Sequence, residues 1–260
     1  RLRRAGNAFR MVEVGNRTWG PQPTERVAYP VMYQSWNVIT FLHWRYDASD
    51  VQRVVPSPLK VETFDGSAWI GLTPFLLENL RTPIFPSLPW LSRFPETNVR
   101  TYVRGPDGRP GIWFLALDTP RLAGTLFARS VYFLPYNWAG LELERNGETI
   151  HYRGRRRWPN GSGEYDVGVE VGDAYDPTEL GDLDHFLTAR WVLFTLYGRV
   201  VASASAEHPP WPLRRARALH WRESVLEGVG LPPPSGDPLV HFSWGVDTRI
   251  SAPRPVSPPR

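Results

Sequence analysis

The sequence predicts a mainly β protein, a β-rich α+β fold in which a largely antiparallel sheet curves or closes on itself and a few short helices are added. Three observations lead to this prediction. Apolar and polar residues alternate over many short segments, glycine-containing turns separate these segments, and helical spacing occurs in only a few places. Many hairpins with few helices favour a curved or closed antiparallel sheet.

The strands are predicted from alternation and from the turns between them. The first strand covers residues 37–46, a run rich in β-branched and aromatic residues. Three hairpins follow, with turns at Asp65-Gly66, at Pro106 to Gly108 and at Asn146-Gly147, because these short glycine-containing stretches suit tight turns. A fourth hairpin is predicted over residues 191–208.

Three short helices are predicted between the strands. Ser49 is expected to cap a helix over residues 50–55, which two prolines end. A second helix is predicted over residues 182–191, where apolar residues recur at positions i, i+3, i+4 and i+7. A third is predicted over residues 222–230, because glycines and then prolines follow it.

The chain has 260 residues and shows one long body between two irregular ends. Residues 1–27 are predicted to form a loose N-terminal arm, and the proline-rich residues 251–260 a disordered tail. Residues 28–250 are predicted to form a single domain, because β barrels and sandwiches of this size often remain undivided.

Composition and charge exclude several classes of protein. The chain has no cysteine, which rules out disulfides, thiolate catalysis and cysteine-based zinc sites. No apolar run reaches the ~18 residues of a membrane span, and no secretory signal is seen, so a cytoplasmic protein without a membrane partner is expected. The net charge is +4, but the arginines are scattered. The dense run at residues 153–157 is interpreted as a hairpin edge or turn, so no nucleic-acid partner is expected.

Five segments together resemble the YqjF-like family, an uncharacterised bacterial branch of the acetoacetate decarboxylase superfamily. These segments are residues 41–75, 94–118, 128–140, 206–216 and 241–250. The resemblance implies a closed or cone-like antiparallel β-barrel of the acetoacetate decarboxylase type, built around an internal pocket. It carries no reaction with it, because this branch of the superfamily has no established one.

The resemblance also bears on catalysis by a lysine. In the decarboxylases a reactive lysine forms a Schiff base with a β-keto acid, and desolvation and an adjacent cation keep its amine neutral. At the two matching positions this chain has Tyr136 and Asn137, and neither side chain forms an imine. Lys60 is the only lysine in the chain, and it is interpreted as an exposed strand residue. Schiff-base chemistry is therefore not expected.

The remaining candidate site centres on residues that the resemblance places in the pocket. Glu96 resembles the carboxylate that lines the decarboxylase pocket, and Arg129 matches the arginine of the decarboxylase segment. Glu96 is predicted to be a general base, Arg129 an anion binder paired with Glu96, and Tyr136 a donor to a developing oxyanion. The residues predicted to bind the ligand are Asn98, Arg100, Tyr102, Tyr132 and Asn137.

Two alternatives remain open for these residues. Asn98, Arg100 and Tyr102 follow Glu96 at two-residue spacing, so they share one face of a strand, and this face either lines a pocket or lies in solvent. In the second case Val99, Thr101 and Val103 point inward. Arg129 and Glu96 either belong to a binding site or form a purely structural salt bridge.

Motifs for other chemistries are missing from the sequence. The six histidines show neither HxH nor HExxH spacing, so no metal site is predicted, and no cofactor is expected. Neither a GxSxG elbow nor a glycine-rich phosphate loop occurs. Three functions therefore remain open. They are an enzyme that acts on a small organic acid or carbonyl compound by acid–base chemistry, a non-catalytic module that binds such a ligand, and a structural protein with a filled barrel.

Overall fold

The computed structural model describes residues 20–23, 25–87, 92–121, 134–159 and 162–257. Thirteen strands of this part form one sheet. They are β1 (Pro30–Tyr46), β2 (Lys60–Val61), β3 (Ala68–Arg81), β4 (Phe94–Arg104), β5 (Pro110–Thr119), β6 (Tyr136–Asn146), β7 (Thr149–Trp158), β8 (Glu164–Ala174), β9 (Val192–Tyr197), β10 (Val200–Glu207), β11 (Leu213–Glu223), β12 (Leu239–Ser251) and β13 (Arg254–Pro255). The described helices are α1 (Ala48–Val54) and α2 (Asp182–Thr188), with 3₁₀ turns at Pro177–Glu179 and Glu227–Val229.

Nine of the strands close into a barrel. The order around the barrel is β5, β6, β7, β8, β11, β12, β1, β3 and β4, which pairs again with β5. Strands β9 and β10 extend the same sheet beyond these nine strands, since β9 pairs with β5 and β10 pairs with β12. The β5–β6 pairing is parallel and makes the barrel mixed, and the β5–β9 pairing is also parallel. The prediction of a mainly β, closed barrel is confirmed.

Strand β4 is buried on both of its faces. The Thr97 hydroxyl is hydrogen-bonded to the Tyr165 hydroxyl of β8, so Thr97 and alternate residues from it point into the barrel. On the opposite face, the Tyr102 hydroxyl donates to the Leu187 carbonyl of α2 at 2.6 Å. Helix α2 therefore covers the outer face of β4. The side chains on both faces of this strand are shielded from solvent.

The predicted turns lie where glycine allows a positive φ, but one hairpin is built differently. Gly66, Gly108 and Gly147 have φ angles of 77°, 78° and 62°. Strands β4–β5, β6–β7 and β9–β10 pair as predicted. The hairpin predicted around Gly66 is wrong in its pairing, because β2 pairs with β4 and not with β3. The Glu62 amide continues this pairing by donating to the Tyr102 carbonyl at 2.8 Å.

The first two predicted helices exist with different boundaries. Helix α1 begins at Ala48, so the predicted capping role of Ser49 is wrong, and Asp47 occupies the N-cap position. Helix α2 ends at Thr188, before the predicted end at residue 191. Beyond it the Arg190 guanidinium donates to the Phe186 carbonyl at 2.8 Å and folds back over the last turn.

The predicted helix over residues 222–230 is wrong. Strand β11 runs to Glu223 and pairs with β8 over most of its length. A 3₁₀ turn at Glu227–Val229 is the only helical feature of that segment in the described chain. Arg222 and Glu223, the first two residues of the predicted helix, pair with Asp166 and Tyr165 of β8, and this pairing outweighs their helix-forming tendency.

Two further interpretations of the sequence are corrected. The tail predicted to be disordered includes β13, which pairs with the edge of β10, a position that tolerates proline. The arginine run at residues 153–157 is not a hairpin edge, because it lies in β7, between β6 and β8. Arg153 and Arg155 point outward, whereas Arg156 is buried inside the barrel. No helix in the described part of the chain is long and apolar enough to span a membrane.

We expect Gly245→Ala to destabilise the protein by about 1–3 kcal/mol. Gly245 has a φ of 139°, and an added Cβ would collide with the Asn37 side-chain oxygen and lie 2.6 Å from the Trp36 carbonyl oxygen. The control is Gly236→Ala, at a φ of 73° with open space around the added Cβ. Urea unfolding of both variants measures the difference, and an equal loss in the two would contradict the steric explanation.

Candidate functional site

Four polar side chains lie along one face of β4, which we name the β4 polar face: Glu96, Asn98, Arg100 and Tyr102. Glu96 is 5% exposed, Arg100 is 7% exposed and Tyr102 is fully buried. The alternative of a solvated face is therefore wrong for Arg100 and Tyr102, although Val99 and Val103 do point into the barrel core. The polar row is enclosed by α2 and the neighbouring strands.

Glu96 and Tyr136 are brought together at one end of this face. Leu117 of β5 is opposite both Asn98 of β4 and Tyr136 of β6, so the sheet register carries Tyr136 to the Glu96 side. The Tyr136 hydroxyl donates a hydrogen bond to the Glu96 carboxyl group. Burial raises the pKa of Glu96 to about 8, the Tyr136 hydrogen bond opposes this shift, and nearby Asp118 adds to it. Glu96 therefore holds a proton at neutral pH.

Arg100 is a buried cation whose partners are all uncharged. One terminal guanidinium nitrogen donates to the Leu187 carbonyl at 3.1 Å, and the guanidinium carbon lies 5.2 Å from the centre of the Phe41 ring. The Arg100 Nε has no partner among the described residues, and no carboxylate of the described chain forms a salt bridge with this side chain. A buried guanidinium without an anion is costly, so this position is suited to an anionic ligand.

Other buried polar atoms on the strands beside Arg100 also have no hydrogen-bond partner in the described part of the chain. They are His43 Nδ1 on β1, Thr73 Oγ1 on β3, Asn98 Oδ1 on β4 and His241 Nδ1 on β12. Native proteins leave few buried polar atoms unpaired, so such a group on neighbouring strands indicates a place for a polar ligand. Sequence reasoning missed His43, Thr73 and His241, because only strand pairing brings them near β4.

The two buried histidines, His43 and His241, have different hydrogen-bond partners, a tyrosine hydroxyl and a carboxylate. His43 Nε2 lies 2.6 Å from the Tyr102 hydroxyl, and burial lowers the His43 pKa, with Arg100 and His241 acting in the same direction. His241 Nε2 lies 2.8 Å from an Asp184 carboxylate oxygen of α2. The hydrogen bond with His241 lowers the pKa of Asp184. His43 is thus a neutral donor or acceptor, and Asp184 remains ionised.

Asn137 lies in a separate cluster inside the barrel. Its amide donates to Asp118 Oδ1 at 2.8 Å, and Arg156 Nε donates to both Asp118 carboxylate oxygens at 2.9 Å. Tyr136 and Asn137 thus point to opposite faces of the sheet, and Asn137 does not join the β4 polar face. Burial raises the pKa of Asp118, and Arg156 opposes the shift. Arg156 follows Ile150 and Tyr152 at even spacing along β7, so its side chain points inward as theirs do. This alternation was the sequence signal for the ion pair.

Arg129 and Tyr132 lie outside the described residues, so the predicted Glu96–Arg129 pair stays a prediction. Lys60 is exposed on β2, at the edge of the sheet. Two clefts formed by described residues are lined by none of the four residues of the β4 polar face. One of 660 Å³ lies beside Tyr33 and Glu207, and one of 620 Å³ lies on the outer surface of β7 and β8.

The closed mixed barrel is similar in fold to the acetoacetate decarboxylase-like proteins. An acetoacetate decarboxylase-like enzyme from Sphingomonas wittichii RW1 matches with a TM-score of 0.61 and 13% identity, over 88% of this chain and 94% of that chain. The acetoacetate decarboxylase of Legionella pneumophila matches with a TM-score of 0.59 and 12% identity, over 97% and 98%. The enduracididine biosynthesis enzyme MppR, solved with pyruvate, matches with a TM-score of 0.61 and 13% identity, over 90% and 93%.

The chain belongs to the DUF2071 family, described as an uncharacterized conserved protein, which matches residues 33–247. A relative is the uncharacterized protein YqjF of Bacillus subtilis strain 168. It is 36% identical over 219 residues, which cover 82% of this chain and 87% of the relative. The family resemblance drawn from the sequence is therefore confirmed.

Proposed function

We propose that this protein is an enzyme that acts on a small organic acid or carbonyl compound by acid–base chemistry, without an imine. One observation carries the proposal. The β4 polar face holds a buried guanidinium with no carboxylate partner in the described chain, and on the same strand a buried carboxyl group whose pKa burial raises to about 8. The first group suits the binding of an anion, and the second suits proton transfer.

Arg100 is proposed to bind the carboxylate of the ligand. Its Nε–H has no protein acceptor among the described residues, so it donates to a ligand oxygen without breaking an existing bond. Asn98 lies between Arg100 and Glu96 on the strand, and its free Oδ1 accepts from a hydroxyl or amine of the ligand. The Cα atoms of Glu96 and Arg100 are about 13 Å apart along the strand, so their side chains leave room for a small molecule between them.

Glu96 is proposed to transfer the proton. A pKa of about 8 lies near the working pH, where both protonation states are populated. The ionised form takes a proton from the carbon next to a carbonyl group. The C–H electron pair then forms the enolate double bond, and negative charge develops on the carbonyl oxygen. Once Glu96 has taken the proton, the Tyr136 hydroxyl turns from the Glu96 carboxyl group and donates to this oxygen, and return of the proton from Glu96 to carbon or oxygen completes the step. Arg129 is proposed as a second anion binder.

We expect no covalent adduct when the protein is treated with acetoacetate and borohydride. Tyr136 and Asn137 stand at the positions of the decarboxylase lysines, and Lys60 is exposed at a sheet edge, so its amine lies in solvent. Intact-mass measurement detects an adduct. A Lys60→Arg variant is the control for non-specific reductive alkylation, and a stoichiometric adduct that this variant abolishes would contradict the proposal.

Proton exchange tests catalysis directly. Pyruvate and 2-oxobutyrate are incubated with the protein in D₂O, and loss of the signals of the C3 protons, next to the keto group, is followed by ¹H NMR. Glu96→Gln is expected to lower exchange to the background rate while ligand binding persists. Arg100→Met is expected to weaken binding, because the ligand carboxylate loses its buried donor.

The same samples separate the enzyme from the alternative, a non-catalytic module for a small acidic ligand. Either function predicts that a bound acid at 100 times its dissociation constant stabilises the protein by about 2.7 kcal/mol. If an acid stabilises the protein but the protons of neither acid exchange, the protein is a non-catalytic binding module. Stabilisation that persists fully in Arg100→Met would contradict the role of Arg100 in both.

A further inference from the structure

The structure assigns a divalent transition-metal site to His151, Asp166 and His220 on the outer surface of the barrel. This inference is independent of the proposed function. His151 lies on β7, Asp166 on β8 and His220 on β11, three neighbouring strands. One ligand atom from each residue can be chosen so that the three lie within 4.8 Å of one another. His220 Nε2 is already 3.0 Å from Asp166 Oδ1, and the two imidazole rings are 5.2 Å apart.

A glycine creates the space in which the imidazole rings meet. Gly168 of β8 is opposite His151 on one side and His220 on the other, so all three lie in one row across the sheet. A Cβ at Gly168 would lie 2.7 Å from His220 Nδ1. Because Gly168 has no side chain, the two rings lean over β8 toward each other, while Asp166 reaches the same point from two residues away on the same outer face.

The ligand set indicates the class of metal ion. Two imidazole nitrogens and one carboxylate oxygen suit borderline divalent ions such as Zn²⁺, Co²⁺ and Fe²⁺ better than Ca²⁺ or Mg²⁺, which prefer oxygen ligands. Three protein ligands leave coordination positions for water or for an exogenous ligand. His220 is exposed, and His151 and Asp166 are half-buried, so an ion has a direct path to the site.

The surroundings support the carboxylate ligand. Arg153 Nε lies 3.6 Å from Asp166 Oδ2, so one carboxylate oxygen faces the arginine and the other faces His220. An outer partner of this kind fixes the orientation of a ligating carboxylate. Asp166 also lines the 620 Å³ cleft together with Arg155 and Arg222. Anions that complete the coordination of the ion therefore find cationic side chains next to it.

The experiment is titration of the tag-free full chain with Zn²⁺ by calorimetry, together with the visible absorption spectrum of the Co²⁺-loaded protein. We expect one site per chain. His151→Ala, His220→Ala and Asp166→Asn are each expected to raise the dissociation constant about tenfold or more. Gly168→Ala is expected to do the same without removing a ligand atom, because its methyl group displaces the His220 ring.

Two matched controls test whether the loss of metal affinity is specific to the three ligand residues. Glu170→Gln changes an exposed carboxylate on the same face of β8, and His185→Ala removes a histidine in α2, so neither is expected to change the affinity. Thermal melting of each variant without metal confirms that it is folded. The absence of Zn²⁺ binding, or binding that the three ligand variants weaken no more than the two controls do, would overturn the assignment.

Discussion

Replacing Arg156 by methionine is expected to destabilise the protein by about 3–5 kcal/mol, because the Asp118 carboxylate would remain buried without its cation. Arg156 is 4% exposed and Asp118 is 1% exposed, and Arg156 Nε contacts both carboxylate oxygens at 2.9 Å. The pair also fixes where β6 begins, since Asn137 donates to the same carboxylate. Equilibrium unfolding in urea gives the change in the free energy of unfolding.

The chain supplies a matched control for this prediction. Arg155 is the preceding residue on the same strand, and its side chain points outward with 80% exposure. Arg155→Met is expected to change stability by no more than about 0.5 kcal/mol. If Arg156→Met fails to fold, the double variant Arg156→Met with Asp118→Leu tests the same cause, because removing both charges restores a neutral core. A single variant that loses less than about 1 kcal/mol would show that the ion pair does not stabilise the barrel.

The second large effect is a pH dependence that Glu96→Gln removes. The folded-state pKa of Glu96, about 8, lies above the ordinary value of 4.5, so the folded state binds the proton more tightly than the unfolded state. Its contribution to stability is fully present below pH 4.5 and is lost as the pH rises through 8. The loss between these limits is on the order of 4 kcal/mol. Glutamine is neutral at every pH and keeps a hydrogen-bonding group beside Tyr136.

Urea unfolding of the wild type and of Glu96→Gln at pH 5, 6.5 and 8 measures this effect. The wild type is expected to lose stability relative to the variant at each step. Glu142→Gln is the control, since this carboxylate is on the outer surface and 66% exposed. Parallel stability curves for the wild type and Glu96→Gln would show that Glu96 is already ionised throughout this range.

The turns and hairpins could be predicted from the sequence because their causes are local. Gly66 and Gly147 adopt a positive φ that few other residues tolerate. The adjacent pairs Asp65-Gly66 and Asn146-Gly147 indicate this requirement in the sequence. The end of β11 could not be predicted in the same way. Arg222 and Glu223 were assigned to a helix, and they belong to a strand because they pair with Asp166 and Tyr165 of β8.

The candidate site likewise contains residues that could be predicted from the sequence and residues that only the strand pairing brings together. Glu96 and Tyr136 were reached through the family resemblance, and the strand register explains why they meet. His43 and His241 were missed, because nothing in the sequence shows that β1 and β12 place them beside Arg100 on the covered face. Arg156 was misread as part of a hairpin edge or turn, because the neighbouring arginines of the run obscure the alternation that points its side chain inward.

The most direct test of the proposed chemistry is the protonation state of Glu96. Infrared difference spectra between the wild type and Glu96→Gln isolate the carbonyl stretching band of this one carboxyl group. We expect a protonated carboxylic acid band at pH 7 that disappears with a midpoint near pH 8. A band that is absent at pH 7 and titrates near pH 4 to 5 would show that Glu96 is an ordinary carboxylate, which would contradict its role as the proton-transferring group.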